Sequence, residues 1–198
     1  LIVIGIVESS SFSSVLYIVN ILDGSTILVN LYVQLTIFVY RDYQLSFCYK
    51  FHNETMPKIN EKYLSNENVN FIYKDFPLNG KSSLMASEAS YCAQKQDQFW
   101  EYHDKLYENW GGENTGWITQ DALSLFAREV GLELDDFNAC MAQSEFRQKV
   151  LDNEQFAREI NINATPTFLI FNDDEVYRII GSQSIDKFEQ VIQKLGNS

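Results

Sequence analysis

The order in which hydrophobic periodicity changes along the chain limits its possible folds more than any other feature. Residues 35–40 are dominated by β-branched and aromatic side chains and read as a strand. A helix is expected over residues 47–64, with Ser46 as its cap and Pro57 as a kink, because proline removes a backbone donor. Residues 69–74 (VNFIYK) alternate as a strand does and end at Asp75-Phe76-Pro77. Apolar side chains then recur at helical spacing over residues 82–96, 98–109, 119–130 and 134–160, broken at Gly111-Gly112 and Gly131. Strands over 167–171 and 176–180 follow, joined by the turn Asn172-Asp173-Asp174-Glu175, and Ser184 opens a final amphipathic helix over 185–195. The order is β, α, β, a block of helices, then β, β, α. Such a chain is an α/β protein with a helical block inserted before its third strand.

The first forty residues differ from the rest. Their only charges are Glu8 and Asp23, and the first basic residue is Arg41. A secretory signal places Lys or Arg ahead of its apolar stretch, and a membrane span needs about 18 or more uninterrupted apolar residues. Here the apolar runs 1–7 and 15–22 are cut by serines, Asn20 and Asp23-Gly24-Ser25. Two readings remain open, a strand-forming extension over residues 1–26 and a trimmed membrane anchor.

Charge and cysteine content remove other classes. With 15 Lys+Arg against 27 Asp+Glu, the net charge of -12 repels phosphate backbones and anionic lipid head groups, so nucleic acid is not an expected partner. At 198 residues and 45% hydrophobic, the chain can bury a real core without a disulfide scaffold. Its three cysteines, Cys48, Cys92 and Cys140, form no zinc pattern of close pairs. Neither a metal nor a cofactor is expected.

The segment Asp42-Tyr43-Gln44-Leu45-Ser46-Phe47-Cys48-Tyr49-Lys50-Phe51-His52 resembles the active-site stretch D-Y-x-C-P-F-C-x-x-F-H of DsbA-like thiol-disulfide oxidoreductases. Lys74-Asp75-Phe76-Pro77-Leu78, Ala89-Ser90-Tyr91-Cys92-Ala93, the run from Gln98 to Leu106 (QFWEYHDKL) and Ala164-Thr165-Pro166-Thr167-Phe168 continue the pattern in the expected order. Upstream it decays: the family enters its first strand through a proline-containing segment, and residues 26–36 hold no proline. The resemblance implies a thioredoxin fold, with residues 27–81 and 151–198 as the thioredoxin-like unit and 82–150 as the helical insert. It also implies cysteine-bearing or unfolded polypeptides as substrates, a redox partner protein, and a location outside the cytoplasm, whether secreted, periplasmic-like or membrane-anchored.

By the same resemblance, Leu45 stands where the family has its nucleophilic cysteine, and Cys48 is the resolving cysteine. A thiolate at a helix N-terminus gains from the helix dipole and unpaired N–H groups. These lower a cysteine pKa from about 8.5 to roughly 3.5–7.5, a range that members of this family span. Leucine can neither ionise nor bond to sulfur, so dithiol exchange within this motif is closed to the chain as written. Three explanations of Leu45 stay open: a sequence altered or misassigned at this point, a non-catalytic peptide-binding paralogue, and single-cysteine chemistry on Cys48.

Pro166 is the second anchor. In thioredoxin folds a cis proline faces the active-site turn, which puts Thr165-Pro166 against Cys48 and makes Ser46, Phe47, Thr165 and Pro166 the expected substrate contacts, with the Thr165 backbone pairing an extended peptide. For Cys92 and Cys140, similar pairs in DsbA-like relatives imply a bridge between two helices of the insert; two buried free thiols are the alternative. His52 and His103, which could be imagined with Cys48 as a metal site, are expected instead to pack at the contact between helix and insert, and Phe99, Trp100, Tyr102, Tyr107 and Trp110 to form core. Asp75 and Glu101 are expected to be solvated or capping, with proton acceptance for Cys48 as the sharper alternative. A glutathione-using enzyme of related fold would need Ser46 as its catalytic residue.

Overall fold

The structure, a computed structural model, describes residues 27–28, 35–65 and 69–196. The strand-forming extension expected over residues 1–26 lies outside the described residues. The first element is β1 (Ile27–Leu28), followed by β2 (Thr36–Arg41), α1 (Ser46–Glu54), α2 (Met56–Ile59), a π-helical turn (Asn60–Leu64) and β3 (Asn70–Asp75). Helices α3 (Lys81–Gln94), α4 (Phe99–Glu108), α5 (Gln120–Glu129), α6 (Leu134–Ala142) and α7 (Arg147–Glu159) come next, and then β4 (Thr167–Phe171), β5 (Val176–Ile180) and α8 (Ile185–Gly196).

The sheet runs β1-β3-β2-β4-β5, with β2 parallel to β3 and the other neighbouring pairs antiparallel. The parallel pair requires a crossover, which α1 and α2 supply. Strands β2 and β3 are buried on both faces, and for that reason their sequences carry long apolar runs. On one face Ile37, Val39, Phe71 and Phe168 pack against Phe51 of α1 and Phe188 of α8. Phe51, Phe168 and Phe188 touch one another with centroids 4.6–5.8 Å apart, and each fully buried phenylalanine contributes about 1.5–3 kcal/mol. On the other face Tyr40 and Phe76 meet Ala157 and Ile160 at the end of α7.

A second core lies inside the helical block, where Ala86, Leu106, Leu123, Phe126 and Phe137 surround Cys92 and Cys140. Helix α4 joins the two cores: Phe99 and Trp100 face the sheet, whereas Tyr102 and Tyr107 face the block. Cys92 and Cys140 are bonded, with Cα atoms 5.9 Å apart.

Three local expectations change. The long helix over 47–64 is divided, because Pro57 falls in the first turn of α2, where its missing N–H costs nothing. The span 134–160 is two helices, separated at Ser144, which adopts φ 51°. Ser46 does not cap α1; the cap position is held by Leu45, which offers no side-chain hydrogen bond.

Candidate active site

The end of β2 runs into the N-terminus of α1 through a short turn, Asp42-Tyr43-Gln44, that is buried and held by polar contacts. Asp42 accepts hydrogen bonds from the backbone of Gln44 (2.8 Å) and Asn79 (2.8 Å) and from the Ser83 hydroxyl (2.6 Å). Burial nevertheless pushes its carboxyl pKa up, because desolvation outweighs those bonds. The Gln44 amide donates to the Ser83 hydroxyl and the Asn79 carbonyl, and its backbone carbonyl accepts from Trp110 Nε1 at 2.9 Å. The helical block thereby fixes the entry to α1.

Leu45 sits at the cap of α1, and its carbonyl accepts the first helical bonds from Cys48 and Tyr49. Its side chain is half-buried against the helical-block core, more enclosed than the exposed place that the family resemblance implies for a nucleophile at this position. Ser46 and Phe47 face solvent, Phe47 at 60% exposure. The free backbone N–H of Ser46 is taken by a carboxylate from the loop after α4: Glu113 Oε1 lies 2.7 Å away, and the Ser46 hydroxyl together with this N–H holds the Glu113 pKa below the usual range. An anion thus rests at the helix N-terminus, where partial positive charge favours it.

Cys48 lies one turn in and is 2% exposed. Its sulfur accepts from the Asp42 N–H at 3.5 Å, and the Thr165 hydroxyl adjoins it. Desolvation dominates and pushes the thiol up to about 12, even though both of these neighbours favour the thiolate. The Thr165–Pro166 bond is cis, and both residues are buried. The side chains open to solvent on this face are therefore those of Ser46 and Phe47, with Leu45 and Ala164 half-exposed.

Beneath the turn is a buried ion pair that sequence reasoning missed. Arg41 and Asp75 are register partners on the parallel strands β2 and β3, with Nη2 and Oδ1 3.5 Å apart and both side chains 2% exposed. The guanidinium also lies 3.8 Å from the centre of the Tyr43 ring. Asp75 is thus neither solvated nor a partner of Cys48, whereas Glu101 is exposed as expected. The available signal was an arginine and an aspartate ending two adjacent buried strands.

His103 is 1% exposed, with Nδ1 3.1 Å from the Tyr43 hydroxyl, and His52 stacks on Tyr107 with centroids 4.4 Å apart. Burial, reinforced by Arg41, pushes His52 down to about 4 and His103 well below its ordinary value. Both rings are neutral at pH 7.

A helix N-terminus facing a cis-proline loop, on a mixed sheet that carries a helical insert, defines the thioredoxin-fold disulfide-exchange proteins. The chain belongs to the thioredoxin family: the family model described as Thioredoxin matches residues 32–194. It is a DsbA-like member. It is similar to disulfide bond formation protein D of Bacillus subtilis, at 26% identity over 162 residues that span 80% of this chain and 71% of that protein. The match to probable disulfide bond formation protein D of Bacillus cereus, at 23% identity, spans 65% of this chain and 62% of the relative. Among solved structures, oxidised BdbD of Bacillus subtilis superposes with a TM-score of 0.79 at 25% identity, covering 89% of this chain and 95% of that one. The α-DsbA1 of Wolbachia pipientis gives 0.77 at 25% identity, covering 86% and 90%. Among the described residues no helix is long and apolar enough to cross a membrane.

A thiol count reads the site directly. At pH 8 the native chain should leave DTNB almost unreacted, since a rise from 9.0 to about 12 lowers the thiolate fraction about a thousandfold. One thiol should react in denaturant and three after reduction. The raised pKa also sets a sign for stability. Between pH 9 and 12 the folded chain keeps a proton on Cys48 that the unfolded chain has lost, so stability falls as pH rises above 9. Buried Tyr40, Tyr43 and Tyr73, also raised by desolvation, add to the fall above pH 10. Urea midpoints that hold level from pH 8 to 11 would contradict this.

Proposed function

We propose that this chain is a DsbA-like thiol-disulfide oxidoreductase site that binds extended, cysteine-bearing polypeptides and, as written, turns over no disulfide. One observation carries the reading: the cap of α1, opposite the cis Thr165–Pro166 loop, is Leu45, and the thiol that remains, Cys48, is buried and protonated. Exchange needs an exposed thiolate to attack one sulfur of a substrate disulfide and a second thiol to release the mixed disulfide. The first is absent and the second is shielded.

The binding half of the activity survives this loss. Phe47 offers an exposed aromatic ring at the helix N-terminus, and the Ala164-Thr165 backbone lies at the open end of β4, where an extended segment can add. Work outside the cytoplasm is supported by the Cys92–Cys140 disulfide, since such bonds persist in oxidising compartments.

The test pairs two measurements on the unmodified chain. Insulin reduction and oxidative refolding of a reduced protein should stay at background, while a fluorescein-labelled unfolded polypeptide should bind with measurable anisotropy. Phe47→Ala should weaken that binding about tenfold, the loss of an aromatic contact worth roughly 1–2 kcal/mol. Turnover by material whose mass confirms Leu45 would overturn the catalytic half; binding indifferent to Phe47 would overturn the peptide-groove half.

A further inference from the structure

Helices α1 and α4 bring together three side chains that the disulfide chemistry does not use. His52 lies in the last turn of α1, and His103 and Asp104 lie in the middle of α4. One ligand atom from each, a ring nitrogen of His52, a ring nitrogen of His103 and a carboxylate oxygen of Asp104, all fall within 4.8 Å of one another. We propose that His52, His103 and Asp104 form a binding site for a divalent transition-metal ion of the zinc type, which fastens the helix at the redox face to the helical block.

Packing accounts for the rings but not for their nitrogens. Both imidazoles lie among aromatic neighbours, His52 against Tyr107 and His103 against Tyr73, with centroids 4.4 and 4.5 Å apart. Yet His103 Nε2 is buried with no hydrogen-bond partner, and an unsatisfied buried polar atom costs about 1–3 kcal/mol. A metal ion gives this nitrogen the partner that packing withholds, with His52 contributing the Nε2 that faces Asp104. The Tyr43 contact is compatible with this: His103 Nδ1 lies 3.1 Å from the Tyr43 hydroxyl, and in the tautomer whose Nδ1–H donates there the Nε2 lone pair is free for the ion. On the other side His52 Nε2 and Asp104 Oδ1 are 3.9 Å apart. Tetrahedral ligands with bonds of 2.0–2.1 Å stand roughly 3.3 Å apart, so the cluster must contract by about 1.5 Å or less.

Access and charge suit a cation. Asp104 is 58% exposed and His52 18%, which opens the cluster to solvent from one side while His103 forms the buried floor. Desolvation, with Glu108 and Glu101 of α4 adding negative potential at the mouth, pushes the Asp104 carboxyl up to about 6. Lys105 is engaged with Glu108 and Glu129 instead. Arg41 faces the two histidines from within and opposes a cation, but Asp75 stands beside it and balances its charge. Two neutral imidazoles and one carboxylate select zinc, cobalt or nickel over calcium or magnesium, which prefer all-oxygen sites.

The experiment titrates the full chain with Co²⁺ and follows the visible absorption bands. One equivalent should bind and be displaced by Zn²⁺, and Zn²⁺ at a hundredfold excess over its Kd should raise the Tm by roughly 5–10 °C. Asp104→Asn, at an exposed position where folding is safe, should weaken binding at least about tenfold; His52→Gln should abolish it. Cys48→Ala should leave it intact, which separates this site from the redox face. No uptake by the unmodified chain, uptake unaffected by both Asp104→Asn and His52→Gln, or Ca²⁺ binding as tightly as Zn²⁺ would each overturn the proposal.

Discussion

Replacing Leu45 with cysteine is expected to raise insulin reduction and oxidative refolding by at least two to three orders of magnitude over the unmodified chain. This follows from the proposed site. The Leu45 carbonyl accepts from the Cys48 N–H at 3.0 Å, so the two positions lie across one tight turn, as a bridge between them requires. The helix dipole and the free N–H groups of the first turn stabilise a thiolate at the cap, and such thiols carry pKa values of roughly 3.5–7.5. Glu113 works against this effect, since its carboxylate already holds the Ser46 N–H and repels a second anion. In the Leu45→Cys background, Glu113→Gln should therefore lower the pKa of the introduced thiol further, read as the midpoint of thiolate absorbance near 240 nm. A folded Leu45→Cys chain that forms the bridge to Cys48 and still turns over nothing would remove the active-site reading.

Removal of the Cys92–Cys140 bridge is the second large effect. The bond closes a loop with a sequence separation of 48 residues. The chain-entropy estimate for such a loop is about 4 kcal/mol, because the cross-link removes conformations from the unfolded chain. For a chain of this size that is a fall of roughly 8–16 °C in Tm for Cys92→Ala/Cys140→Ala. The bond also ties α3 to α6 inside the helical-block core, so the loss should appear first in amide exchange of those two helices. A double variant that melts within 2 °C of the parent under oxidising conditions, on the order of 0.5–1 kcal/mol, would show that the packing around Phe137 and Leu123 holds the block without it.

The proposed peptide contact and the proposed chemistry fall on different residues: Phe47 is exposed at the helix N-terminus, whereas Cys48 is a buried thiol. Binding measured on the unmodified chain and turnover measured on Leu45→Cys therefore report on different residues.

Much of the fold could be read from periodicity alone. The shift from the strand of residues 69–74 to four helical stretches and back to paired strands marked an insert within an α/β unit, because periods of two and 3.6 residues are local properties of the chain. The motif around Phe47-Cys48 pointed to the segment between β2 and α1 as the proposed site, and the lack of a thiol at position 45 is legible in the sequence because it is a matter of atoms and not of geometry. Cap and break positions were less legible. Ser46 has the chemistry of a cap but lies one residue too late, and the end of α6 is set by Ser144 in a left-handed conformation that no glycine announces.

The residues themselves determined which elements form, their order, and that no thiol stands at position 45. Tertiary structure alone decided which distant side chains meet. Arg41 and Asp75 face each other because parallel register aligns β2 with β3. Glu113 reaches the Ser46 N–H across 67 positions of chain, and His52 meets His103 and Asp104 only because α1 packs against α4. Burial, too, follows from packing and not from residue type: Cys48 is a protonated thiol and Asp42 a carboxyl with a raised pKa because the helical block closes over the turn that carries them.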